Sequence, residues 1–93
     1  MRYEIELLPG AEEDLERLTI EMGRRVSRLM DLIEADPFGP PAQALAGDLR
    51  GLIKMRAGDH RLVYRVDRER RRVVLLAIAP RPIVYDMVLR RLR

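Results

Sequence analysis

Tyr3, Ile5 and Leu7 alternate with Arg2, Glu4 and Glu6, the period-two pattern of a strand with one buried face. The chain start has this alternation where a secretion signal would have an uninterrupted apolar stretch, so Met1 to Leu7 is expected to belong to the mature protein. Pro9-Gly10 ends the strand. Ala11, Leu15, Leu18 and Met22 then recur at helical spacing, with Glu12, Glu13, Asp14 and Glu16 on the other face, where acids favour a helix amino end. Val26, Leu29, Met30 and Ile33 repeat the stripe, and Thr19 is suited to cap the second helix of a helical hairpin. Gly23 weakens that helix near its start. Asp36-Pro37 stops it, because a residue before proline avoids helical geometry, and Phe38-Gly39-Pro40-Pro41 continues as loop.

From Gly51 the period changes to two. Ile53 and Met55 share one face, which sends Leu52, Lys54 and Arg56 to the other. Ala57-Gly58-Asp59 supplies a turn, and His60 to Val66 returns with Leu62, Tyr64 and Val66 inward and Arg61, Val63 and Arg65 outward. The charged turn Asp67 to Arg71 leads into Val73 to Ala79, a continuous apolar run of the kind a central strand covered on both faces requires. After Pro80-Arg81-Pro82, the residues Ile83, Val84, Met87, Val88 and Leu92 follow at roughly helical spacing. Arg90, Arg91 and Arg93 stand at that helix's favourable end. The pattern predicts an α+β fold: an N-terminal strand, a helical hairpin, a three-stranded antiparallel meander completing one sheet, and a short C-terminal helix. Two helices are expected to cover one sheet face, leaving the other partly open with Lys54, Arg56, Arg61 and Arg81 on it and Tyr85 nearby.

Length limits what such a fold can hold. The 93 residues suit a single domain spanning 1–93, with any site on the surface or in a shallow groove. At 47% hydrophobic and 35% charged residues the composition is that of a globular chain, and no apolar run is long enough to cross a bilayer, so no membrane association is expected. Cysteine is absent and His60 is the only histidine, which excludes disulfides, thiolate metal sites and imidazole clusters and is compatible with the cytoplasm; no metal or other cofactor is expected. Net charge is only +3, but Lys54 is the sole lysine and every other base is arginine, whose planar fork suits phosphate. Between residues 4 and 36 acids match or outnumber bases, whereas from Arg50 onward bases dominate, a usual footprint of a polyanion-binding face that an acidic protein partner would fit equally well.

The stretch Leu45-Ala46-Gly47-Asp48-Leu49-Arg50-Gly51-Leu52-Ile53-Lys54-Met55-Arg56-Ala57-Gly58-Asp59-His60-Arg61-Leu62-Val63-Tyr64 resembles the central signature of the RelE/ParE toxin superfamily. That signature is a Leu-x-Gly segment followed by Arg-x-Gly-x-x-Arg-(Leu/Val)-(Val/Ile)-Tyr. The acidic helical hairpin with its Asp-Pro stop and the Arg81 to Tyr85 segment also fall where the family places them. The resemblance implies a RelE-like toxin of a type II toxin-antitoxin system, and hence a ribosome-dependent, metal-independent endoribonuclease. Such a toxin cuts messenger RNA in the decoding site through attack of a ribose 2′-hydroxyl on the neighbouring phosphate. It implies a cognate antitoxin as partner, with operator DNA bound only by the toxin-antitoxin complex.

Cleavage of this kind requires deprotonating the 2′-hydroxyl, stabilising the phosphorane and protonating the 5′-oxygen. The matching catalytic positions are Lys54, as general base or electrostatic stabiliser, Arg61 and Arg81 on the scissile phosphate, and Tyr85 stacking on a base or orienting the hydroxyl. Arg56 and Arg65 are further candidates for phosphate binding. Each has a plainer alternative: a solvated strand lysine, surface ion pairs, a core aromatic. His60, Tyr64 and Tyr3 read as structural, and Arg70-Arg71-Arg72 as a solvated turn. Leu52 stands where the best-known nucleases of the family carry a lysine, which keeps two further readings open: a non-nucleolytic inhibitor of DNA gyrase, and a catalytically degenerate member acting with its antitoxin as repressor.

Overall fold

The computed structural model describes residues 2–93, so Met1 of the first predicted strand lies outside the described residues. Chain order is β1 (Glu4–Leu7), α1 (Pro9–Glu16), α2 (Ile20–Ala35), β2 (Gln43–Ala44), β3 (Ile53–Ala57), β4 (His60–Asp67), β5 (Arg72–Pro80) and α3 (Arg81–Arg91), with a short 3-10 turn at Gly47–Leu49. One five-stranded sheet runs β1-β5-β4-β3-β2, in which β3, β4 and β5 form the expected antiparallel meander and β1 lies parallel to β5. The expected α+β fold is the observed one.

Local chemistry explains the helix boundaries. Pro9, expected only to end β1, is also the first residue of α1, where its fixed φ suits the helix and its missing N–H costs nothing. The first helix ends at Glu16, so Leu18 packs from the connecting turn and Met22 belongs to α2. Thr19 caps α2, its Oγ1 accepting from Met22 N at 3.1 Å. The C-terminal cap is Asp36, in extended geometry immediately before Pro37.

Both sheet faces are covered. On one, α1 and α2 bury Ala11, Val26 and Ile33 against Ile53, Met55, Leu62, Tyr64, Val73, Leu75 and Ile78. Burying a side chain such as Leu62 contributes about 1.5–3 kcal/mol. Tyr64 donates its hydroxyl to Pro37 O at 2.7 Å, which satisfies the one polar atom it brings into the core, and burial pushes its phenol pKa well above the usual tyrosine value.

The second face corrects the expectation of a partly open sheet. There α3 and the 45–49 segment close over Leu52, Val63, Val74, Leu76, Ala77 and Ala79, with Val84 and Val88 pointing in. Leu52 and Val63, expected to face outward, are buried because the 45–49 segment and α3 supply a second apolar layer. Ile83, expected in the packing stripe of α3, is instead half exposed, and Tyr85 packs partly buried against the same layer. The register of β4 on β5 shifts between Val63 and Tyr64, so Val63 faces Ala77, Tyr64 faces Leu75 and Leu76 is skipped. Leu76 and Ala77 consequently both face α3, and the bulge breaks the alternation that a reader of the apolar run would assume.

Candidate functional site

The α3 side of the sheet turns polar toward the β3–β4 hairpin. The hairpin loop is only two residues, Gly58-Asp59, and Gly58 takes the positive φ (62°) that such tight turns demand at their first position. Cross-strand pairing then arranges two rows: Gln43, Lys54, Val63 and Ala77 in one, Arg56, Arg61 and Ala79 in the next. Lys54, Arg56 and Arg61 thus line one depression of about 210 Å³ together with Gln43 and Pro41.

Arg56 and Arg61, paired directly across the strands, are held by the turn they flank. The Gly58 carbonyl accepts from Arg56 Nε at 3.0 Å and from Arg61 Nη1 at 3.1 Å, while Arg61 Nη1 also donates to His60 O at 2.9 Å. Arg61 is only 8% exposed and, among the described residues, has no carboxylate partner. The hydrogen bonds leave Nε and Nη2 of Arg61, and both Nη atoms of Arg56, as donors toward an incoming anion. These two guanidinium groups are fixed in orientation before any ligand arrives.

Arg81 opens α3, two residues beyond Ala79, the β5 partner of Arg61, and its backbone N–H donates to Asp59 O at 2.9 Å. A cation at a helix amino end opposes the helix dipole, so its place there is not explained by helix stability. Tyr85, one turn later, is half-buried against the α3-side core. Neither lines the depression; both belong to the helix that closes the same sheet face. Arg65 is exposed four residues along β4 from Arg61, roughly 13 Å at about 3.3 Å per residue, and also lies outside the lining. Leu52, two residues before Lys54, packs with Leu45 and Leu49 and is a core residue. His60 points away from the arginines into a separate groove with Leu18, Ile83 and Met87. Its Nδ1 lies 2.8 Å from Asp59 Oδ1, and this hydrogen bond holds the Asp59 carboxyl below its ordinary range. No group of three His, Cys, Asp or Glu side chains among the described residues could hold a metal ion.

Sequence reasoning missed two elements. Asp14, expected on the exposed acidic face of α1, is buried at the edge of β5 just beyond the end of β1. Its Oδ2 accepts from Ile78 N at 3.0 Å and Arg91 Nη1 at 2.7 Å, its Oδ1 from Arg91 Nη2 at 3.0 Å, and Arg91 Nη1 also reaches Leu76 O at 2.8 Å. The pair replaces the missing neighbour strand at the bulge and ties α1 to α3; the Asp14 bond raises the Arg91 pKa further. The second element is Arg25 of α2, whose guanidinium lies against Gly58. It sits in the acid-rich half of the chain, so a charge tally by segment conceals it.

The described fold recurs in solved structures. The RelBE2 toxin-antitoxin complex from Mycobacterium tuberculosis contains a chain of 27% identity, covering 87% of this chain and 100% of that one with a TM-score of 0.78. The RelE-RelB complex from the archaeon Pyrococcus horikoshii contains another at 26%, covering 87% and 97% with a TM-score of 0.71. A free-state mutant of Escherichia coli toxin RelE, at 21% identity, covers 100% of both chains with a TM-score of 0.76 and shows the shared fold. No curated protein matches significantly. Fold and sequence similarity together define a toxin of the RelE/ParE superfamily. Residues 5–85 match the family described as ParE toxin of type II toxin-antitoxin system, parDE, and the chain belongs to that family.

Proposed function

We propose that this type II toxin is a ribosome-dependent endoribonuclease that cuts messenger RNA in the decoding site without a metal ion. The observation that carries the reading is the convergence of Lys54, Arg56 and Arg61 on one depression, with Arg61 nearly buried and lacking a carboxylate counter-ion. A buried guanidinium hydrogen-bonded only to carbonyls costs desolvation that no direct ion pair offsets, and a phosphate supplies the missing contact. Arg61, through Nε and Nη2, takes two phosphate oxygens, and Arg56 assists from the facing strand. Lys54 draws the proton from the 2′-hydroxyl or stabilises the charge that its loss creates. Arg81 and Tyr85 approach from α3, the arginine at the phosphate and leaving oxygen, the tyrosine on a base or the 2′-hydroxyl. Arg65 contacts the RNA backbone outside the depression. The atoms balance without a further reactant: the 2′-oxygen bonds phosphorus, the 5′-oxygen departs with a proton, and a cyclic phosphate remains.

A cognate antitoxin is the natural partner, by analogy with the RelBE2 and RelE-RelB complexes, and operator DNA is bound only by the joint complex. The cytoplasm, where ribosomes are, is the implied location. A second reading, inhibition of DNA gyrase, draws on the ParE family match and on Leu52, whose burial removes one position from the basic set. The discriminating experiment adds the purified protein to a reconstituted translation reaction and maps new 5′ ends. Ribosome-dependent cuts that fall at least a hundredfold in Lys54→Ala/Arg81→Ala are expected, at about tenfold or more per lost contact. Intact messenger RNA together with lost supercoiling in a gyrase assay would establish the second reading, and inactivity in both assays with antitoxin-dependent operator binding would point to a repressor.

A further inference from the structure

The geometry points to Arg25 as an additional phosphate contact, one that carries the RNA track from the α3 face of the sheet over the β3–β4 turn and onto α2. The inference rests on the RNA-binding reading above. A Cβ built on Gly58 would stand 2.5 Å from Arg25 Nη1 and 3.7 Å from its Cζ, so the guanidinium lies directly on the turn and only a residue without a side chain admits it there. The carbonyl of the same glycine receives Arg56 Nε and Arg61 Nη1. Three guanidinium groups, from α2, β3 and β4, therefore meet at one residue on the rim between the two sheet faces. Arg25 is exposed and, among the described residues, forms no ion pair. The carboxylate next in the turn, Asp59, is hydrogen-bonded to His60. Three like charges gathered beside one carboxylate, which makes no ion pair with any of them, repel one another, and an arriving polyanion relieves that repulsion at several points together. A nucleic-acid backbone, with a charge at every nucleotide, matches such a row, whereas a single small anion would engage one end of it.

Counterion release gives a readout that folding defects do not imitate. The full chain is titrated into a fluorescently labelled, fully 2′-O-methylated decauridylate, which lacks the attacking hydroxyl, at several salt concentrations. Arg25→Gln is expected to lower the slope of log affinity against log salt by about 0.7, the value for one phosphate on a single strand. Arg25→Lys keeps the charge and keeps the slope, and Arg70→Gln, in the turn beyond the far end of β4, leaves it unchanged. An unaltered slope in Arg25→Gln with binding intact overturns the inference and leaves the nuclease reading standing. An equal loss in Arg70→Gln overturns it too, by showing diffuse attraction. Absence of any salt-dependent binding by the parent protein overturns this inference, while the translation assay decides the nuclease reading separately. If Arg25→Gln binds RNA normally but loses an oligoglutamate probe, the residue belongs to an acidic protein interface instead.

Discussion

Arg91 and Arg61 both bring a guanidinium out of solvent, and they do so in opposite company. Arg91 meets Asp14, 6% exposed, in a two-pronged ion pair and adds a hydrogen bond to the Leu76 carbonyl. Arg61 meets two backbone carbonyls, Gly58 and His60, and no carboxylate. The first charge is neutralised within the fold and holds α1, β5 and α3 together at the bulge. The second has no direct ion pair and stands next to Lys54 and Arg56, so its field remains available to a ligand. Counting arginines cannot separate these two uses; the identity of the acceptor does.

The contrast has measurable consequences. Arg91→Ala leaves Asp14 buried without its cation and should destabilise the fold by about 3 kcal/mol, the low end for a broken buried pair because Arg91 is partly exposed. Chemical denaturation measures this, and a loss below about 1 kcal/mol would mean the pair adds little. Arg61→Met should behave in the reverse way. Messenger cleavage falls on the order of a hundredfold, as for loss of one oriented donor, while stability stays within about 1 kcal/mol. A variant that unfolds instead would show that Arg61 is structural like Arg91. The finest test concerns Gly10, where an added Cβ would lie 2.8 Å from Cζ and Nε of Arg91. Gly10→Ala should be nearly neutral in the parent chain, because about 1 kcal/mol lost by pushing the guanidinium off Asp14 is offset by a helix-propensity gain of similar size. In an Arg91→Ala background only the gain remains, and a double-mutant cycle reads the difference.

Much of the fold was legible because its signals are local. The alternation through Ile53, Met55, Leu62 and Tyr64 marks the face that meets α1 and α2, and Thr19 and Asp36-Pro37 mark the limits of α2. The short edge strand Gln43–Ala44 was not legible, since two exposed residues carry no period and pair only because β3 is there. The second apolar layer was half visible. Val73 to Ala79 announces a strand covered on both faces, yet Val63 and Leu52 look outward until α3 and the 45–49 segment are placed over them. Of the candidate site, the Lys54, Arg56 and Arg61 cluster follows from strand parity and a two-residue turn. The distance of Arg65 from the depression follows from the same parity, read along the strand rather than across it.

Periodicity, caps and turn residues act between neighbours a few positions apart, so the amino-acid order alone was enough for the three helices, the four longer strands, their succession, the hairpin that aligns the basic residues and the family signature. Asp14 and Arg91 are 77 residues apart and Arg25 and Gly58 are 33, and nothing local distinguishes a helix-face acid that will find a buried arginine from one that will stay in water. Those outcomes depend on which surfaces the packed helices bring together, because burial and the nearest opposite charge exist only after the chain has closed on itself.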